Sequence, residues 1–300
     1  LITARVGTVW ARKAAQAMVS IFERLAAQQD PARLLSLWES YNQLRSLLPL
    51  SVALRLSLAH AYREFALPRQ ALRWYNEILA INSVPPAAIE EALAGKIAVA
   101  RQAGEIAVVK QAGAQYEQQY PQGRWIDEVA WELGEIAMEE GRYEEAKTQY
   151  ALVLAHTKTK ERRLHAQRRL LAAHKATGEW DQVLAGYREL LQTAEATPAD
   201  LLEYADVLFE QEQYQKAAAT YERLIEMTDG LEQRLWVQYR LARSYQQLGK
   251  RDQAKALFDN IVEASSSTEG TQDGQSGFAT AIVAAATAQQ AALASSGREK

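Results

Sequence analysis

In a chain without cysteine, hydrolytic or metal chemistry falls to histidine, carboxylate and serine, and here their spacing speaks against it. The four histidines are His60, His156, His165 and His174. Two imidazoles on one helix share a metal when they stand three or four residues apart; His165 and His174 are nine apart and fall on opposite faces. They read as surface or packing residues. Glu139, Glu140, Glu144 and Glu145 flank a helical turn, where a solvated face or a favourable first turn accounts for them. A paired acid and base is the competing reading and has less behind it. Nucleophilic catalysis would fall to serine, yet no serine stands near a histidine in a motif. The phosphate-cradling G-x-x-x-x-G-K-[ST], a G-x-G-x-x-G after a strand and the G-x-S-x-G elbow are all missing from the sequence. The chain is expected to be non-enzymatic, with no cofactor and no metal.

Charge narrows the partner class. The net charge of -3 in 300 residues argues against general nucleic-acid binding, which rests on a basic excess that displaces counterions. One local exception is KTKERRLHAQRR, Lys158 to Arg169. It reads either as a solvated link between helices or as a local patch for an acidic peptide, a phosphate or an anionic glycan. Absence of cysteine suits a reducing or an oxidising compartment equally, so the location is left open between cytoplasm and periplasm. The chain opens at Leu1 and not at methionine, and is expected to be a processed piece whose upstream targeting or anchor segment lies out of view.

The elements that must position any site are helices. Leu, Ala, Gln, Glu, Lys and Arg dominate, glycine and proline punctuate stretches of helical spacing, and strand-like alternation is nearly absent. The stretch LGEIAMEEGRYEEAKTQYALVL from Leu133 has ungapped echoes at 58, 170, 204 and 241. Its turn glycine recurs as Gly104, Gly141, Gly178 and Gly249, with Ala66 and Glu212 at the matching places. Small residues, Ala59, Gly134, Ala205 and Ala242 on one helix and Ala71, Ala146, Ala217 and Ala254 on the next, let two axes approach closely. Tyr75, Tyr150, Tyr221 and Phe258 recur four residues after the second set, and Tyr187 stands at the matching place of its repeat. One such hairpin has two apolar faces and must stack on its neighbours.

This pattern, a leucine and a small residue followed by Gly-x-aromatic-x-x-Ala-x-x-x-aromatic, resembles the tetratricopeptide repeat. The resemblance implies an all-α, right-handed superhelical solenoid of stacked antiparallel helix hairpins. It is strong from about 127 to 264, good at 52 to 85, and weak at 90 to 121, where Gly113 takes the aromatic place. Residues 1–50, with Trp10, Phe22, Leu25, Leu34, Leu35, Trp38 and Leu44, are expected to form a helical hairpin, a degenerate repeat or cap. Residues 51–264 form the solenoid of about six repeats, and 265–300 a flexible linker and an Ala-rich C-terminal helix. That helix, with a stripe at Phe278, Ile282, Gln289 and Leu293, reads as a cap, as a docking helix or as a self-association surface. A membrane span is the weakest reading, because the stretch is short and carries Gln289 and Gln290.

The resemblance also implies that the first helix of each hairpin lines a concave groove that holds a partner peptide or protein. Its stripe on this chain is His60 and Arg63; Ala94, Ala98 and Arg101; Trp131, Glu135 and Met138; Arg168, Ala172 and Lys175; Leu202, Asp206 and Phe209; and Trp236, Tyr239, Arg243 and Gln246. Trp131, Glu135, Arg168, Lys175, Phe209, Trp236, Tyr239 and Arg243 are the expected partner-binding residues; packing between repeats is the competing role for the aromatic ones. Some members clamp a chaperone's C-terminal carboxylate, but Leu56 with His60 and Trp131 with Glu135 stand in the clamp positions, so that clamp is expected to be absent. The functional expectation is a non-catalytic protein-interaction scaffold. The alternative is a module of a bacterial-envelope, secretion or polysaccharide-export machine that handles an anionic polymer through Arg163, Arg168, Arg169 and Lys175.

Overall fold

A computed structural model describes residues 8–266 and 277–296, and every described element is helical. The helices pair as α1 (Val9–Ala27) with α2 (Pro31–Tyr41), α3 (Val52–Glu64) with α4 (Pro68–Leu79), and α5 (Pro86–Gln102) with α6 (Ile106–Gln119). They continue as α7 (Ile126–Glu139) with α8 (Tyr143–His156), α9 (Lys160–Ala176) with α10 (Trp180–Leu190), and α11 (Pro198–Glu210) with α12 (Tyr214–Glu226). The last pair is α13 (Leu231–Gln247) and α14 (Arg251–Ser266), followed by α15 (Gly277–Ser296). A short 3-10 turn, Asn42–Leu47, follows α2.

Each pair is joined by three residues, and the middle one is left-handed: Gly104, Gly141, Gly178 and Gly249, but also Gln29, Ala66 and Glu212, with φ from 53° to 74°. That conformation lets the next N–H reach back to a carbonyl five residues earlier, as Arg142 N does to Ala137 O at 2.8 Å and Gln213 N to Leu208 O at 2.9 Å. The turn therefore survives loss of glycine, since the closing hydrogen bond is made by backbone alone. Gln29 reveals the same turn in the N-terminal hairpin, which carries no sequence motif.

The small positions work as the spacing requires. Ala71, Ala146, Ala217 and Ala254 are fully buried, and Tyr75, Tyr150, Tyr221 and Phe258 are buried over them. At the weak repeat, a side chain on Gly113 would meet Leu133 Cδ2 at 2.8 Å, so a leucine from α7 fills the space that an aromatic ring takes elsewhere.

The chain divides into two compact units, one ending at Ala173 and the other beginning at His174, both within α9. In the first, the rings of Phe22, Trp38 and Trp74 step edge to face at 5.5 and 5.3 Å and tie the N-terminal hairpin to α4. Trp10 departs from the expected apolar set and is 66% exposed, while Ala11, Ala15, Val19 and Phe22 form the buried face of α1. In the second unit, α15 lies on α13 and α14 and buries Ile282 and Ala286. Gln290 Nε2 donates to Asp259 at 2.6 Å, and Gln246 Nε2 donates to Gln289 at 3.1 Å. Most of the expected linker, 267–276, and the side chain of Phe278 lie outside the described residues. No helix of the described residues is long and apolar enough to cross a membrane.

Candidate partner-binding faces

A three-residue cluster recurs between first helices and the second helix packed on them. In the first unit, Tyr150 Oη on α8 donates to Glu135 on α7 at 2.6 Å, and Arg169 Nε on α9 donates to the same carboxylate at 2.6 Å. In the second, Tyr221 Oη on α12 donates to Asp206 on α11, and Arg240 on α13 reaches Asp206 from Nε at 2.9 Å and Nη2 at 2.7 Å. The acid stands six residues before the left-handed turn residue, the tyrosine nine after it, and the arginine nine before the next such residue. Burial and the neighbouring carboxylate hold both phenols above their ordinary range, so they stay protonated and donate.

Glu135 and Asp206, both on the expected stripe, are thus engaged inside the chain. Lys175 Nζ reaches Glu203 at 3.2 Å. Trp131 is half-buried, with its ring 5.8 Å from Tyr150 and the Arg162 guanidinium 5.9 Å from its centre. It packs against two small clusters containing Ala137, Ala146 and Ala173, and Ala130, Val153 and Ala166. Arg168 is half-buried in α9.

The second unit assembles the remaining predicted residues into one surface. Arg240 lies 5.4 Å from the ring centres of both Phe209 and Trp236. Trp236 stacks on Tyr239 at 6.0 Å, and Tyr239 meets Phe258 at 6.0 Å. Arg243 Nη1 donates to Tyr239 Oη at 3.3 Å, while its buried Nε has no hydrogen-bond partner. Phe209, Trp236, Tyr239 and Arg243 are all partly exposed and held by neighbours.

The first unit opens a cleft of about 330 Å³ on the same kind of face. His60 and Arg63 from α3, Gly95 and Ala98 from α5, and Glu128 and Glu132 from α7 form its sides. The repeat register explains why it is open. His60, Tyr75 and Gly95 occupy the places of acid, tyrosine and arginine, and Ala98, Gly113 and Glu132 do so one repeat on. Two successive clusters are therefore missing. The signal was present in the spacing, but only the filled clusters elsewhere reveal what the small residues leave out.

His60 is neutral at pH 7. Although Glu91 lies 3.3 Å from its Nε2, burial first and Arg63 second lower its pKa from 6.5 to about 4. Tyr75, 6.0 Å away ring to ring, completes its surroundings. Between those two values the unfolded chain binds the proton and the folded chain does not, so stability falls as pH drops from 6.5 towards 4. His60→Gln is expected to flatten that limb: its melting temperature should lose several degrees less than the wild type's between pH 7 and pH 4.5. Parallel pH-melting curves would remove the assignment.

Comparison with known proteins accords with this reading. A tetratricopeptide repeat family model matches residues 208–267. No curated protein matches the chain. Among solved structures, the C-terminal part of a TPR repeat-containing protein from Cytophaga hutchinsonii is 16% identical, with a TM-score of 0.60 over 85% of this chain and 96% of that one. A structure of Naa15/Naa10 bound to HypK-THB is 13% identical, with a TM-score of 0.53 over 91% of this chain and 39% of that one. With its left-handed turns, small-residue contacts and stacked hairpins, the chain has the fold of a tetratricopeptide repeat solenoid, and residues 208–267 match that family's model.

Proposed function

We propose that the protein is a scaffold that binds a peptide or protein partner along the faces made by its first helices. Tetratricopeptide solenoids are in general non-catalytic interaction scaffolds, and the fold supports that coarser role. The observation that supports the finer reading is the aromatic and arginine surface of the second unit, where Trp236, Tyr239 and Arg243 are fixed by neighbours yet partly exposed. Rings already held in place lose little side-chain freedom when a partner covers them. Trp131, Glu135, Arg168, Lys175 and Phe209 enter this proposal as the supports and margins of such faces.

Full-length protein on a solid support, exposed to extract of its own source, should retain a discrete partner. Trp236→Ala or Tyr239→Ala should weaken that partner by about 1 kcal/mol or more, roughly fivefold, with helicity by circular dichroism unchanged. Equal affinity of wild type and both variants would eliminate this face. The anionic-polymer reading has less support: Arg163 donates to the Leu154 and Thr157 carbonyls at 3.3 and 3.0 Å, and Arg169 and Lys175 are paired with Glu135 and Glu203.

A further inference from the structure

The helix α1 carries a second apolar row that the solenoid leaves in the open. Ala11, Ala15, Val19 and Phe22 turn to the core, while Val9, Trp10 and Ile21 stand exposed. Trp10 and Ile21 are 11 residues apart, three helical turns, so they share one edge of the helix about 16 Å apart along its axis. Ala17, also exposed, lies between them. A single large apolar side chain in water is ordinary; three on one helix, two of them in register, make a patch that calls for an occupant.

The charge beside that row says which occupant fits. Lys13 and Arg24 are again 11 residues apart and form a parallel exposed row, about 60° round the helix from Trp10 and Ile21. Lys13 Nζ stands 5.7 Å from the centre of the Trp10 ring. Arg12 adds a third exposed cation. The one acid of α1, Glu23, is engaged with the solenoid, where it accepts from Ser51 Oγ at 3.0 Å at the start of α3. Glu23 is also the first acidic residue of the chain: residues 1–22 hold Arg5, Arg12 and Lys13 and no Asp or Glu, against a net charge of -3 for the whole. Positive charge and exposed apolar side chains thus coincide on one helix of an otherwise acidic protein. A second copy would bring two faces of the same sign together. A nucleic acid would use the cations and leave Val9, Trp10 and Ile21 in water. A bilayer of anionic lipid uses both rows: the apolar side chains enter the acyl boundary, and lysine and arginine lay their stems along it with the charge among headgroup phosphates.

We propose that α1 docks the protein on an anionic membrane surface, lying flat in the headgroup layer with Trp10 and Ile21 inserted and Lys13 and Arg24 against lipid phosphates. The helix lies on the bilayer and does not span it, since no helix of the described residues is long and apolar enough to cross. A fluid bilayer moulds itself to a single convex helix, so no matching groove is needed. The inference goes beyond the groove reading and shares no residue with it: Trp236, Tyr239 and Arg243 take no part in this docking.

The test floats the full chain with vesicles of phosphatidylcholine, with and without about one third phosphatidylglycerol; the anionic vesicles should carry roughly fivefold more protein or better. Raising the salt from about 0.1 to 1 M shortens the Debye length from about 10 to 3 Å and should release most of it. The double variant Lys13→Glu, Arg24→Glu should float no better than wild type does with phosphatidylcholine alone. Trp10→Ser, which keeps every cation, should still lose roughly threefold. All three side chains are exposed, so helicity and melting should stay as in the wild type. Lipid brominated in its acyl chains, mixed into the anionic vesicles, should quench tryptophan fluorescence of the wild type and not of Trp10→Phe, which reads insertion of that one ring. No flotation, equal flotation with neutral and anionic vesicles, undiminished flotation of the charge-reversed variant, or equal quenching of wild type and Trp10→Phe would each overturn the proposal. Retention on immobilised poly-L-glutamate without flotation would assign the face to an acidic protein, and a dimer in sedimentation equilibrium that Trp10→Ser dissociates would assign it to a second copy; either overturns it as well.

Discussion

Asp206→Ala is expected to destabilise the second unit by about 2–4 kcal/mol, the largest single effect of any substitution outside the apolar core. Asp206 accepts from both the Tyr221 hydroxyl and the Arg240 guanidinium. Tyr221 is fully buried, and the side chain of Arg240 is 21% exposed. Removing the carboxylate therefore strands a phenol and a guanidinium at once, and water reaches the first not at all and the second poorly. The expectation lies below the full cost of breaking a deeply buried pair because that remaining exposure screens the charge. Asp206→Asn keeps one acceptor and should fall between. The triple variant Asp206→Leu, Tyr221→Phe, Arg240→Met removes donors and acceptor together and should recover most of the loss, since polar clusters specify geometry more than they stabilise it. Urea denaturation of the three variants decides the matter: a near-neutral Asp206→Ala, or a triple variant no better than the single, would mean that the cluster is not a coupled unit.

Gly95→Ala should cost about 1–2 kcal/mol, although alanine is the better helix former by up to about 1 kcal/mol. The new methyl would stand 2.6 Å from Tyr75 Cε1, inside contact distance of a rigid, fully buried ring. Tyr75 has no open side to turn to, so the helices must part or the ring leave its rotamer. Overpacking of this kind costs about 1–3 kcal/mol, more than the gain in propensity. Tyr75→Leu removes the ring and should make the alanine favourable again, a sign reversal that a double-mutant cycle measures directly. A stabilised Gly95→Ala single variant would show that α4 and α5 are not in close approach at this point.

Periodicity and composition determine the helices, hairpin turns and small-residue contacts, because those features are local. A helix face repeats every few residues, and a left-handed turn residue betrays itself by type. Gly104, Gly141, Gly178 and Gly249 stand at positive φ as their spacing requires, with Ala66 and Glu212 in register beside them. The turn at Gln29 was illegible because its residue type carries no such preference. The fate of Trp10 was illegible too, since which face of α1 is covered, that of Ala11 and Ala15 and not that of Trp10, is decided by packing.

The binding faces depended on contacts between residues far apart in the chain. Glu135 and Asp206 look like groove residues on a helical wheel, and only the packed neighbours show their carboxylates already held by a tyrosine 15 residues on and an arginine 34 residues on. Trp131 looks like a free ring and is packed between two clusters. The cleft of the first unit could not be read from any one repeat, since Gly95 and Ala98 announce themselves only by contrast with the filled positions. Residue pattern alone determined that this protein is a stack of helical hairpins, because hydrophobic spacing and turn chemistry act over a few bonds. Tertiary structure decided which side chains remain for a partner, because a hydrogen bond or a ring contact is claimed by whatever the fold brings within a few ångströms, irrespective of distance along the chain.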